Sequence, residues 1–227
     1  MKIAELFYSI QGEGSLVGVP SVFIRTSGCN LRCGWCDTPY TSWQPEGADL
    51  TLDQIMDEVK SRLASGAGHV VVTGGEPMIA PDMVALTARL RDLGLHITIE
   101  TAGTVFQPVA CDLMSISPKL SNSTPSDPRW AAQHDRLRIQ PATLSQLMAG
   151  YEYQLKFVIE KPADLEEVLA LVGDLKADRG RVILMPEGTD RERLRERALW
   201  LAEVCKDNGF RLSPRLHVDL YGNQRGV

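Results

Sequence analysis

Residues 70–100 read VVVTGGEPMIAPDMVALTARLRDLGLHITIE, and the pattern of this stretch sets the fold class. Val70–Thr73 is a short run of β-branched residues ending in the pair Gly74-Gly75, the signature of a buried strand running into a turn. Pro81 and Gly94 then bracket a helix whose apolar stripe is Met83, Leu86, Leu90 and Leu93, at helical spacing. His96-Ile-Thr-Ile-Glu100 alternates again as a strand. Strand, helix and strand in this order make a βαβ unit, and such units build parallel sheets.

Working outward, further strands are expected at Ile3–Tyr8, Val22–Thr26, Leu113–Ser117, Gln154–Ile159, Val182–Met185 and Arg211–His217. Thr51-Leu-Asp-Gln54 forms a capping box that opens a helix with Ile55, Met56, Val59 and Leu63 inward. Thr189 to Glu192 caps another, with Leu194, Ala198, Leu201 and Cys205 on one face. A full eight-unit barrel needs about 250 residues. This chain has 227 and spends several on a cysteine loop, so six units are expected. The expected architecture is α/β, one domain over 1–227, a partial (β/α)6 barrel. Ser121–Arg129 is polar and proline-rich and reads as a mobile surface loop. The unusual sequences all follow strands: Ser27–Cys36, Gly74–Pro77, Thr101–Thr104, Pro118-Lys119 and Pro186–Gly188. In parallel barrels that edge carries the active site, so an enzyme is expected.

Composition is that of an ordinary globular chain, 44% hydrophobic and 23% charged. The net charge of −5 opposes a nucleic-acid-coating role. MKIAELFYSIQGEGS at the N-terminus has a single Lys and an apolar run broken by Glu5, unlike a signal peptide. No segment approaches the roughly 20 apolar residues of a membrane span. A cytoplasmic protein without nucleic-acid or membrane partners is expected. An odd count of five cysteines favours metal or redox chemistry over a disulfide framework.

Cys29-Asn-Leu-Arg-Cys33-Gly-Trp-Cys36 is C-x3-C-x2-C. Three thiolates from one loop can hold three irons of a [4Fe–4S] cluster, which leaves the fourth iron open. The alternative is a structural zinc, with a fourth ligand from His217, His69 or Cys111. Cys205, on an apolar stripe, and Cys111, at a strand start, read as structural thiols. The Gly74-Gly75 pair is either a tight turn or a place where a ligand meets bare backbone.

The cysteine spacing resembles that of the radical S-adenosylmethionine superfamily, whose loop sits at the C-terminal edge of a laterally open partial barrel. The resemblance implies a cluster whose open iron chelates S-adenosylmethionine and, once reduced, cleaves it to a 5′-deoxyadenosyl radical. It likewise implies that Gly75 (through its backbone) and Glu76 meet the cofactor's ammonium. Glu100, Ser117, Pro118 and Lys119 would meet its ribose and carboxylate, and Met185 and Pro186 its adenine. Read as residues alone, Glu100 and Lys119 are equally surface ion-pair formers.

From end to end the chain resembles one family within that superfamily, the ring-contracting 7-carboxy-7-deazaguanine synthases of the 7-deazapurine (queuosine) pathway. The residues that carry this are Phe7-Tyr-Ser-Ile-Gln-Gly-Glu-Gly14, Arg25, Cys36-Asp37-Thr38, Leu216-His217 and Gly222–Val227. The implied reaction, that of a carbon–nitrogen lyase, converts 6-carboxy-5,6,7,8-tetrahydropterin to 7-carboxy-7-deazaguanine and ammonia. It starts with hydrogen abstraction at C6 and regenerates S-adenosylmethionine. The implied substrate contacts are Ile10, Gln11, Gly12, Glu13, Thr73, His217 and Arg25, whose guanidinium suits a carboxylate. Thr38 would give a hydroxyl to Mg²⁺, which commonly takes few protein ligands. Outside the resemblance, Arg25 is a surface salt-bridge former, His217 a structural histidine and Thr38 a turn cap. A homodimer and an external electron donor such as flavodoxin are also implied. Some members place a terminal carboxylate near the substrate; the tail here differs, so no role for Val227 is expected. The rivals are a glycyl-radical-enzyme activase, which would not need Arg25 or the Gln11-Gly12 segment, and a zinc-stabilised binding module.

Overall fold

A computed structural model describes residues 1–63, 66 and 68–227. The chain lays down β1 (Lys2–Ile10), β2 (Pro20–Thr26), α1 (Pro39–Ser42), β3 (Ala48–Asp49), α2 (Leu52–Leu63), β4 (His69–Gly74) and α3 (Met83–Asp92). Then follow β5 (His96–Thr101), β6 (Leu113–Ile116), α4 (Pro128–Leu137), α5 (Pro141–Gly150), β7 (Tyr153–Ile159) and α6 (Asp164–Asp174). The last elements are β8 (Val182–Pro186), α7 (Arg191–Asn208), β9 (Arg211–Leu212) and α8 (Leu216–Tyr221).

Among the described residues nine strands join one sheet, in the order β3-β1-β2-β4-β5-β6-β7-β8-β9. Six strands, β2 and β4 through β8, run parallel as expected, and the short β9 adds a seventh. β1 pairs antiparallel with β2 because a short return connects them instead of a crossover helix, and the short β3 pairs antiparallel with the far edge of β1. Among the described residues no ladder joins β3 to β9, so the sheet stays open. Its two sides meet through the segments that flank the edge strands. The Gly14 amide donates to Ser213 Oγ (2.8 Å) and the Leu216 amide to the Gly12 carbonyl (2.9 Å), which requires the sheet to curl.

Alternation along the strands divides the layers. Val70, Val72, Ile97, Ile99, Leu155 and Phe157 point outward and are fully buried under the helices. Ile55, Met56 and Val59 of α2 and Met83, Leu86 and Leu90 of α3 meet them, as the sequence pattern predicted, whereas Leu93 of the same stripe falls past the end of α3 and is exposed. The Thr51–Gln54 capping box forms in both directions: the Thr51 amide donates to Gln54 Oε1 (2.8 Å), the Gln54 amide to Thr51 Oγ1 (3.2 Å). The inner layer is polar instead, with Arg25, Thr73, Ser115 and Lys156 facing the interior of the curl.

Three expectations need correction. The strand expected over Arg211–His217 stops at Leu212, and Pro214 follows within two residues, so His217 rides on α8. Asp190, one residue after Thr189, caps α7 by accepting from the Arg193 amide (3.0 Å). Ser121–Arg129 is not a loose loop. A turn over Ser121–Ser123 is buried at Ser123, whose hydroxyl bonds His134 Nε2 (2.9 Å) and whose carbonyl accepts from the Gly34 amide (2.8 Å). That segment braces the cysteine loop from outside. Among the described residues no helix is long and apolar enough to cross a membrane.

Candidate active site

The C-terminal ends of the strands surround a cavity of about 690 Å³. One wall is the cysteine loop after β2, and Cys29, Cys33 and Cys36 all line the space. The loop is held down tightly. A Cβ on Gly75 would lie 2.2 Å from the Gly28 carbonyl oxygen, and one on Gly74 (φ +148°) 2.3 Å from that of Thr26. The glycine pair is thus needed for close approach by the cysteine loop's own backbone.

The donor set suits an iron–sulfur cluster. The Leu31 amide points at Cys29 Sγ (3.4 Å) and Ser42 Oγ lies 3.3 Å from Cys36 Sγ, contacts of the kind that hold and tune cluster thiolates. Burial pushes the Cys29 and Cys33 thiols up to about 12, so binding must displace their protons. Among the described residues no three His, Cys, Asp or Glu side chains converge as a single metal ion requires. A cluster spreads its ligands more widely than one zinc ion does.

Glu76 is fully buried and does not line the cavity. Its carboxylate accepts from Thr101 Oγ1 (2.7 Å), the Met78 amide (3.0 Å) and the Ala102 amide (2.8 Å). Burial nevertheless leaves its carboxyl raised. It therefore braces the loops after β4 and β5. Glu100, Ser117, Lys119 and Met185 do line the cavity, whereas Pro118 and Pro186 lie outside its lining. Glu100 and Lys119 do not form the ion pair that each alone suggests: Gln11 Nε2 donates to Glu100 (3.1 Å) and Lys119 Nζ to Ser117 Oγ (2.8 Å).

Further lining comes from β1 and the loop after it, β2, β4 and α8. Ile10, Gln11, Gly12, Glu13, Arg25, Thr73 and His217 all face the same cavity. A Cβ on Gly12 would sit 2.0 Å from His217 Nδ1, so glycine is required for the imidazole to seat. Burial lowers the His217 pKa. Arg25 donates through Nε to Glu5 Oε2 (2.8 Å), which also accepts from Tyr40 Oη (2.9 Å). This contact engages Nε of the guanidinium, and Arg25 also lines the cavity. Thr38 precedes α1, but its hydroxyl makes no cap; it stands 3.8 Å from Cys36 Sγ. Residues 223–227 also line the space, Val227 among them. Arg225 fixes this tail over the Tyr40 ring (3.7 Å) and against Glu5 (3.1 Å) and Glu46 (3.2 Å).

Sequence reasoning missed Lys156, Arg215, Asp37, Glu5 and Tyr40. Lys156 was visible as a charge inside the apolar run Leu155–Ile159 and Asp37 as part of the Cys36–Thr38 motif, though neither was given a site role; Glu5, Tyr40 and Arg215 carry no comparable signal. Lys156 and Arg215 both pair with Glu13, and Arg215 also with Asp37. Burial would raise the Glu13 carboxyl, but the charges of Lys156, Arg215 and His217 outweigh it and hold Glu13 well below the usual range. Burial likewise opposes the Arg215 charge, and Asp37 and Glu13 more than restore it.

Comparison with known proteins fits this geometry. The family model of the radical SAM superfamily matches residues 23–119, from β2 through the Lys119 loop. The chain is 47% identical to the 7-carboxy-7-deazaguanine synthase of Halobacterium salinarum, over 98% of this chain and 91% of that one. It is 46% identical to the enzyme of that name from Rhodopirellula baltica, over 99% and 88%. The crystal structure of QueE from Escherichia coli superposes with a TM-score of 0.68 at 28% identity, covering 95% of this chain and 94% of that one. Streptococcus suis SuiB bound to S-adenosylmethionine shares the fold at 14% identity, with a TM-score of 0.57.

Proposed function

The chain belongs to the 7-carboxy-7-deazaguanine synthase family of radical S-adenosylmethionine enzymes, and we propose how its cavity carries out the ring contraction of that family. It is a lyase dependent on a [4Fe–4S] cluster and S-adenosylmethionine. The proposed substrate is 6-carboxy-5,6,7,8-tetrahydropterin, converted to 7-carboxy-7-deazaguanine with release of ammonia. The observation that carries this reading is that one cavity is lined both by the three cysteines and by Arg25.

Cys29, Cys33 and Cys36 would hold the cluster. When bound and reduced, it supplies the electron that cleaves S-adenosylmethionine to a 5′-deoxyadenosyl radical. The Gly75 backbone, Glu100, Ser117, Lys119 and Met185 would orient that cofactor, with Glu76 bracing the loops beneath it. Pro118 and Pro186 would act only by shaping the turns after β6 and β8. Arg25 would grip the substrate carboxylate, held at its angle by Glu5 and Tyr40. Ile10 and Gly12 main-chain groups, Gln11, Glu13, Thr73 and His217 would read the pterin ring. A buried carboxylate kept ionised as Glu13 is can accept hydrogen bonds from the N–H edge of a pyrimidinone. The Thr38 hydroxyl would contribute to a Mg²⁺ site beside the cluster loop.

Further features of the reading concern the whole protein. The nine described strands share one sheet, which supports a single domain over 1–227. Five free thiols support a reducing compartment, the cytoplasm. Exposed Leu199 on α7 and Leu220 on α8 offer apolar area for a homodimer. An external one-electron carrier such as a flavodoxin would reduce the cluster. The reading is tested by anaerobic incubation of the reconstituted protein with the carboxytetrahydropterin, S-adenosylmethionine, Mg²⁺ and a reductant. 7-carboxy-7-deazaguanine is the expected product. Cleavage of S-adenosylmethionine without it would overturn the substrate assignment and favour a different radical reaction.

A further inference from the structure

Where the sheet fails to close, its two sides need some other tie at the cavity rim. Arg215, at the start of α8, stands in that opening with only 7% of its side chain exposed. Its three guanidinium nitrogens each take a different segment. Nε donates to Glu13 Oε1 (3.0 Å) in the loop after β1, and Nη1 to the Gly188 carbonyl (2.5 Å) after β8. Nη2 pairs with Asp37 in the cysteine loop. Glu13 is anchored in turn by Lys156 from β7, so a row of alternating charge runs Lys156–Glu13–Arg215–Asp37, buried from Lys156 to Arg215 and reaching solvent at Asp37.

What those segments carry gives the row its meaning. Asp37 lies between Cys36 and Thr38. Glu13 lies beside Gln11 and Gly12. The Arg215 carbonyl accepts from the Val218 (3.0 Å) and Asp219 (3.1 Å) amides, which opens the helix that bears His217. We infer that Arg215 is a positioning residue that sets the distance between the cluster loop and the substrate loops, so that cofactor cleavage is coupled to reaction at the substrate. The inference rests on the function proposed above. Arg suits the task because its planar fork engages three acceptors in fixed directions, whereas a lysine is a point charge on a flexible stem. Small errors in the placement of reacting atoms are expensive, which is why a tie remote from the chemistry can govern its yield.

The test uses Arg215→Lys and Asp37→Asn in the cluster-loaded protein. Asp37 is the more exposed partner, so its amide variant is expected to fold even if the Arg215 change does not. Two readouts are taken: hydrogen exchange of segments 11–14 and 33–38, and 5′-deoxyadenosine released per product formed. Both segments should exchange faster together in each variant, with iron content unchanged. Unproductive cleavage per product should rise about tenfold, the loss expected for one charge-assisted hydrogen bond. Faster exchange confined to residues 215–221, or cofactor cleavage and product formation falling by one common factor, would overturn the role. Failure of the wild-type protein to make product would strike the functional reading alone, since the exchange experiment still reports whether the loops are tied.

Discussion

The two ends of the strands both bury polar groups, and they use them in opposite ways. At the N-terminal edge His69 is only 4% exposed, with Nδ1 2.6 Å from Ser21 Oγ and Nε2 2.8 Å from Thr98 Oγ1. His96 packs against it edge-on at 4.9 Å, and Asp112 accepts from the Ile97 amide nearby (2.8 Å). Both ring nitrogens of His69 are satisfied by neighbouring strands, so the cluster fastens β2, β4 and β5 together. At the C-terminal edge the polar side chains line a large cavity, and Glu13, Lys156 and Arg215 are held there as ions, not as neutral partners. Polar groups that satisfy one another stabilise a fold; charges held around an opening are arranged for something that enters it.

The comparison is broken most severely at the cysteines. Cys29→Ala, Cys33→Ala and Cys36→Ala should each abolish bound iron and activity together, measured by iron and sulfide analysis with turnover. Cys111→Ala and Cys205→Ala should keep both at a cost of about 1 kcal/mol in stability, since each loses only a buried apolar group. Loss of the cluster in a folded Cys111 or Cys205 variant would move the ligand set out of the 29–36 loop.

Arg25→Ala comes next. Removing a charge-assisted contact to the substrate carboxylate should lower kcat/KM about tenfold to a hundredfold. Background cleavage of S-adenosylmethionine should suffer less, because the cysteine loop is untouched. Equal damage to both reactions would take Arg25 out of the substrate site. Thr38→Ala should have a smaller effect, leaving the cluster intact while raising the Mg²⁺ concentration needed for half-maximal rate. A wild-type rate indifferent to Mg²⁺ after thorough chelation contradicts a metal at Thr38.

The smallest effect is expected at the opposite edge. Burial lowers the His69 pKa from 6.5 to about 4, so the folded state holds this ring neutral where the unfolded chain would protonate it. Stability from His69 is therefore complete above about pH 6.5 and lost as pH falls toward 4. Thermal melts of wild type and His69→Asn across that window should converge at low pH. Parallel curves would mean that the ring is not the titrating group.

Much of this division was legible in the sequence, and the reasons for the rest are physical. Strands came within two residues of their observed ends wherever a β-branched or apolar run was bounded by Gly or Pro, as at Val70–Thr73. The loops after those strands, from Cys29 to Lys119, identified the working edge by position alone. The antiparallel direction of β1 was hidden, because pairing direction leaves no trace in a strand's own composition. The Arg215 tie was hidden for a related reason. Its partners Glu13 and Asp37 lie 202 and 178 residues away, so only the closed geometry reveals that opposite charges meet. The Ser121–Arg129 segment misled because polar, proline-rich sequence describes a braced turn as well as a loose one.

The central claim is that the cysteine loop and Arg25 serve one substrate in one cavity, with C6 of the pterin facing the cofactor. Turnover of substrate deuterated at C6 tests this most directly, with mass analysis of recovered S-adenosylmethionine and a count of product per cofactor supplied. Deuterium in the recovered cofactor, with product exceeding the cofactor added, is the predicted result. Product formed with no deuterium in S-adenosylmethionine or in 5′-deoxyadenosine would contradict it.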